Sequence, residues 1–126
     1  MTAARALSLL IRVTGAGALL LGVALWAGYG WGWSLLPWHL ALGVGLVLSM
    51  WILAAVAWRA GTRRGLATAV FLWGLAILAF GLVHGRILPG QLHWTISTAH
   101  LLVGAIAIGL GGSLARAVDR MSAIRP

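Results

Sequence analysis

The sequence predicts an all-α protein, a bundle of four transmembrane helices joined by short loops. Of its 126 residues, 62% are hydrophobic and only 8% are charged, whereas a soluble domain carries roughly 25% charged residues. The apolar residues also fall into four runs, each long enough for the roughly 20 residues that a membrane-spanning helix needs. These runs cover about residues 7–29, 36–58, 65–85 and 91–115, and we expect residues 1–126 to form a single membrane domain.

Loop signals separate the four runs. The Gly- and Trp-rich segment 28–34 follows the first run. Pro37 stands in the first turn of the second helix, where its missing N–H costs nothing. A basic turn at 59–64 joins the second and third runs, and segment 85–90, which contains Pro89, precedes the fourth. Connections this short predict an up-down-up-down bundle.

The arginines predict the orientation of the bundle. All nine basic residues are Arg, and only Arg86 falls at the end opposite the other eight, namely Arg5, Arg12, Arg59, Arg63, Arg64, Arg116, Arg120 and Arg125. The positive-inside rule places the eight in the cytoplasm and gives an N-in/C-in topology. The absence of Lys and Asn, with abundant Ala, Gly and Leu, indicates a GC-rich bacterial genome. We therefore expect the chain in the bacterial cytoplasmic membrane, with lipid around it.

Composition excludes several functions. A net charge of +8 would indicate nucleic-acid binding only on a soluble fold with a basic face. Cysteine is absent, and the one acidic residue, Asp119, lies outside the four runs. Proton-coupled transporters place carboxylates within the membrane, so transport of that kind is not expected. Neither a phosphate loop nor a His-Glu-x-x-His motif occurs, and we expect no enzymatic activity.

All four histidines fall in the outer half of the predicted bundle, away from the cytoplasmic arginines. Counted from the inner arginines at 1.5 Å per residue, His39 and His84 lie about 30 Å up their helices, His93 about 34 Å and His100 about 24 Å. His100 sits within an apolar helix, and intramembrane ionisable residues are functional candidates. His93, His100 and Gly104 share one face of the fourth helix, which we expect to point into the bundle.

The second and fourth helices of such a bundle are diagonal neighbours, which places His39 across from His100 or His93. With Gly43 and Gly104 beside them, these histidines resemble the four-helix transmembrane b-type cytochromes, in which cross-bundle histidines clamp a haem. The resemblance implies haem b in the outer half, ligated by His39 and His100, with His93 as the alternative to His100. Gly43 and Gly104, one turn inward, would leave room for the porphyrin edge.

The resemblance also implies electron transfer, with quinone as a candidate partner. From the composition we expect no nucleic-acid partner. Arg86, the only outer charge, could pair with a haem propionate. Such cytochromes often carry ligand pairs at both membrane faces, but the inner half here has no His, so at most one haem fits. His39 and His100 differ in depth by about 6 Å along straight helices, which helix tilt would have to absorb.

Two other functions stay open. The chain also resembles small bacterial four-helix membrane proteins, a likeness that implies no activity. It could be an accessory subunit of a larger respiratory or photosynthetic complex, or a homo-oligomer, with a chlorophyll-type pigment or no cofactor. Alternatively, His39, His84 and His93 could converge on zinc or copper at the outer surface.

Overall fold

The computed structural model describes residues 2–29 and 35–124 of the chain, and side chains up to Ser122. Arg125, which contributed to the predicted orientation, and most of the Gly- and Trp-rich segment lie outside these residues. Throughout the described part the regular structure is helical, which confirms an all-α, four-helix architecture. The α-helices are α1 (Ala3–Trp26), α2 (Leu36–Arg59), α3 (Arg64–Val83) and α4 (His93–Ile124), and a 3₁₀ helix, His84–Arg86, follows α3.

The bounds of α1 and α4 differ from the predicted ones. α1 begins at Ala3 rather than near residue 7, because the Thr2 side chain caps it by accepting a hydrogen bond from the Arg5 N–H. α4 continues past residue 115 to Ile124. A helix does not end where its apolar run ends, and Leu114 and Val118 extend the buried face of α4 into its charged last turns.

Glycine ends both α1 and α2. Gly28 and Gly61 have positive φ angles, +86° and +68°, a conformation that glycine adopts without steric cost. After each glycine the chain bonds back to the preceding turn, Tyr29 N–H to Ala24 O and Thr62 N–H to Ala57 O, both at 2.9 Å. This is the Schellman arrangement, which satisfies the last carbonyl groups of a helix.

All four helices are long and apolar enough to cross a membrane. Their outward surfaces carry large apolar side chains, of which Leu20 is 72% exposed and Leu82 is 79% exposed. Such a surface suits lipid, because lipid tails are as apolar as leucine.

The helices form a four-membered ring. α1 packs against α2 and α4, and α3 packs against the same two helices. α2 and α4 also approach each other across the centre, whereas over residues 2–29 and 35–124 no Cα atom of α1 comes within 8 Å of one in α3. α2 and α4 are therefore the close diagonal pair of the bundle.

The core is concentrated at one end. We call the end that holds Arg5, Arg59 and Arg116 the arginine end, and the opposite end the histidine end. The buried residues of α2 begin at Leu46, near the middle of the helix, and continue toward the arginine end. The largest side chains with almost no exposed surface are Ile11, Met50, Leu53, Val47, Val70 and Leu114.

Candidate functional site

The four histidines lie together in a row at the histidine end. The His39 ring on α2 is 6.2 Å from the His100 ring on α4, measured between ring centres. The His84 ring stacks on His100, with centres 4.8 Å apart and planes within 8° of parallel. The His93 ring completes the row, 6.2 Å beyond His84. The contact between α2 and α4 therefore brings His39 and His100 together despite their expected difference in depth.

Three of the rings are oriented by backbone carbonyl groups. The Nδ1–H groups donate to carbonyl oxygens, from His39 to Ala18 at 2.9 Å, from His84 to Gly81 at 2.9 Å and from His93 to Ile87 at 3.2 Å. A carbonyl oxygen only accepts, so Nδ1 holds the proton and Nε2 of the neutral ring keeps its lone pair. Metal-binding histidines are held in this way by their surroundings.

His100 differs from the other three. Its Nδ1 is buried and has no hydrogen-bond partner within residues 2–29 and 35–124. Its ring lies between that of His84 and the edge of Phe80, 5.5 Å away. His100 also packs against Gly81, where a Cβ would be in ordinary van der Waals contact, 3.6 Å from His100 Cε1. A buried polar atom without a partner is costly, which makes His100 the strongest candidate for an external partner.

A cavity of about 170 Å³ adjoins these rings, and all four helices line it. Four residues predicted for the cofactor site, His39, His100, Gly43 and Gly104, are in its lining. His84 joins them, and the remaining lining residues are apolar or glycine. The cavity is smaller than the roughly 300–1,000 Å³ of typical ligand pockets.

Two predicted residues lie away from the cavity. His93 is separated from it by His84, and Arg86 is an exposed residue of the 3₁₀ helix. The zinc or copper alternative needs His39, His84 and His93 to converge, but the His100 ring lies beside both His39 and His84. In the described part of the chain, no three His or Asp side chains are grouped to hold a metal ion between them.

Sequence reasoning did not include His84 and Gly22 in the cofactor site. The estimated depth of His84 was a signal for including it, because His84 lies as far up α3 as His39 lies up α2. Gly22 supports the His39 ring, because a Cβ at this position would be 3.2 Å from His39 Cε1. No local signal distinguishes Gly22 from the other helix glycines, since its role depends on how α1 and α2 pack.

The cluster can bind a metal that accepts imidazole ligands, or exchange protons and hydrogen bonds with a molecule in the cavity. Among the described residues, the cavity lining contains no carboxylate and no guanidinium group, and the histidines are its titratable groups. Comparisons with protein families, with curated proteins and with solved structures give no match for this chain.

Proposed function

We propose that this protein binds haem b at its histidine end and transfers electrons in the membrane. The observation that carries the proposal is the 6.2 Å separation of the His39 and His100 rings, on the two helices that face each other diagonally. Two imidazoles that hold one metal ion from opposite sides, with metal–nitrogen bonds of about 2 Å, have ring centres about 6 Å apart. His39 and His100 also line one cavity with Gly43 and Gly104.

Neither of the other two histidines is the first choice as a haem ligand. His84 stacks face to face on His100, so the in-plane lone pairs of these rings lie side by side and do not oppose each other across one ion. The hydrogen bond from His39 Nδ1 to Ala18 O would fix the ring and make Nε2 a better ligand. His93 is the alternative ligand on α4.

A porphyrin needs more space than the cavity has, and the lining shows where that space could come from. Leu36, Leu40 and Leu82 line the cavity and are 48%, 53% and 79% exposed. Their side chains can turn toward lipid with little loss of packing, because lipid replaces the contacts. Bound haem iron would supply one-electron redox chemistry. This exposed leucine side is also where a lipid-soluble quinone, the electron partner that we propose, would approach.

The optical spectrum tests the haem proposal. The purified protein should show a Soret band and sharp α and β bands when reduced. His39→Ala and His100→Ala should lose these bands, and His84→Ala, the matched control in the same cluster, should keep them. If His93→Ala loses the bands and His100→Ala keeps them, the ligand on α4 is His93. A colourless wild type, folded by circular dichroism and made with ample haem, would refute the proposal.

We also propose an up-down-up-down bundle in a bacterial cytoplasmic membrane, with both termini in the cytoplasm. Two contacts support the alternation. Arg5, near the start of α1, pairs with Asp119, near the end of α4, at 3.0 Å. At the other end, His39 near the start of α2 lies in the same row as His84, just after α3.

Cysteine labelling tests the orientation, and the native chain has no cysteine to interfere. A Gln91→Cys variant should react with a membrane-impermeant reagent applied from outside to spheroplasts. A Gly65→Cys variant, next to the α2–α3 turn, should react only after the membrane is opened. The reverse pattern would overturn the N-in/C-in topology.

A second candidate is an accessory or pigment-binding subunit of a larger complex or homo-oligomer. Gly109 on α4 favours it, because this residue is exposed and a Cβ added there would meet no atom within 4 Å. Bare glycine surfaces let a partner helix approach closely in lipid. Solvent extraction of the protein purified from its own membranes separates the candidates, since a chlorophyll-type pigment and haem b have different absorption spectra.

A further inference from the structure

A second pocket lies at the arginine end, between α1 and α4. Its volume is about 270 Å³, and its polar lining consists of Arg5, Ser8, Arg12, Arg116 and Asp119. It lies at the opposite end of the bundle from the histidine row, and it is independent of the haem proposal. Three of its lining residues are arginines, whose positive charges need a partner of opposite charge.

The helix periodicity explains why these arginines meet. Arg5, Ser8 and Arg12 are three and four residues apart, so they share one face of α1. Opposite them, the Arg116 guanidinium is directed along α4, with Nη2 donating to Ser113 Oγ at 3.0 Å. The Arg116 Nη1 atom lies 3.5 Å from the position that a Cβ of Gly112 would take.

The pocket has more positive charge than the chain can balance. Asp119 is the only acidic residue in the sequence. Its Oδ2 accepts a hydrogen bond from Arg5 Nε at 3.0 Å, and its Oδ1 accepts one from Thr2 Oγ1 at 2.9 Å. With both oxygens of this carboxylate engaged, no acidic side chain is left for Arg12 or Arg116.

We propose that this pocket binds the phosphate group of an anionic phospholipid from the cytoplasmic leaflet, through Arg12 and Arg116. Guanidinium groups match phosphate oxygens with paired hydrogen bonds, and Ser8 adds a polar side chain to the same lining. Basic pockets between transmembrane helices on the cytoplasmic side are suited to anionic head groups.

The surroundings favour a lipid over free phosphate. Leu9 lines the pocket and is 56% exposed, so the phosphate site continues into an apolar surface that an acyl chain can cover. Arg12 lies seven residues along α1 from Arg5, about 10 Å deeper at 1.5 Å per residue. A head group at the membrane surface can reach that depth. The proposal rests on the membrane topology proposed above and does not depend on haem.

Native mass spectrometry of the purified full chain tests the proposal. Phosphatidylglycerol should bind the wild type at least about tenfold more tightly than phosphatidylcholine. The double variant Arg12→Gln/Arg116→Gln should lose this preference. Arg120→Gln, on the same helix but outside the pocket lining, is the matched control and should keep it. Arg12→Lys/Arg116→Lys retains both charges and should keep part of it.

Three outcomes would overturn the proposal. Equal binding of the two lipids would remove the charge selectivity. Unchanged phosphatidylglycerol binding in the Gln variant would place the lipid elsewhere. Full displacement of the lipid by millimolar inorganic phosphate would make free phosphate the ligand. Helicity by circular dichroism should be unchanged in every variant, and so should any haem absorption, which separates failure of this site from failure of the haem proposal.

Discussion

The two ends of the bundle are packed in different ways. At the arginine end, Met50 and Leu53 of α2 are completely buried against residues of the other helices. At the histidine end of the same helix, Leu36 and Leu40 are about half exposed, and a cavity separates the helices. α2 thus contributes buried core residues at the arginine end and cavity-lining residues at the histidine end.

Glycines allow close helix contacts along the whole bundle. A Cβ on Gly111 would lie 3.0 Å from Ile11 Cδ1, so α1 and α4 are in close contact at the arginine end. Gly74 brings α3 equally close to α2, since its Cβ would lie 2.7 Å from Trp51 Nε1. At the histidine end, Gly22 is also close to α2, since its Cβ would lie 3.2 Å from His39 Cε1, whereas a Cβ on Gly43 would meet no atom within 4 Å. The difference between the two ends therefore rests on the buried apolar side chains, and Gly43 is a position where the histidine end leaves open space.

The largest expected effect comes from making the same substitution in both ends of α2. Leu53→Ala removes a side chain with no exposed surface and should lower the free energy of unfolding by about 2–5 kcal/mol, in part through the space it leaves. Leu40→Ala, at a position that is 53% exposed, should cost less than about 0.5 kcal/mol. Unfolding by SDS in mixed micelles, followed by tryptophan fluorescence, measures both. Equal losses would contradict the contrast between the ends.

A smaller effect is expected from filling the glycine contacts of α4. Gly111→Leu should lower the free energy of unfolding by about 1–3 kcal/mol, because the added atoms overlap Ile11. Gly109→Leu is the matched control two residues away, where an added side chain meets open space. It should be neutral or slightly stabilising, since leucine favours a helix more than glycine does. The same SDS titration applies, and a loss in the control alone would show that α4 packs through its other face.

The smallest effect on stability is expected at Gly43. Gly43→Leu should change the free energy of unfolding by less than about 0.5 kcal/mol, because an added Cβ meets no atom there. The same side chain would extend into the cavity beside His39 and should lower the haem content of the purified protein. Haem per protein, from the absorption spectrum after reduction, gives the result. Full haem content in a folded variant would place the porphyrin away from Gly43.

Sequence alone determined the number of helices and the end at which each chemical group lies. Hydropathy gave four runs, and Gly28, Pro37 and Gly61 marked where the helices end or begin. These features are local, because a run of apolar residues or a turn residue acts on its own stretch of backbone. The rise of 1.5 Å per residue along a helix likewise predicted that all four histidines lie at one end and most arginines at the other.

Only the tertiary structure decided which histidines meet. The direct contact of α2 with α4 brings His39 to 6.2 Å from His100 although straight helices predicted different depths. It also stacks His84 on His100 and leaves Arg86 outside the cavity lining. Helix spacing, tilt and side-chain direction set these distances. They depend on packing between segments far apart in the chain, which no local pattern in the sequence specifies.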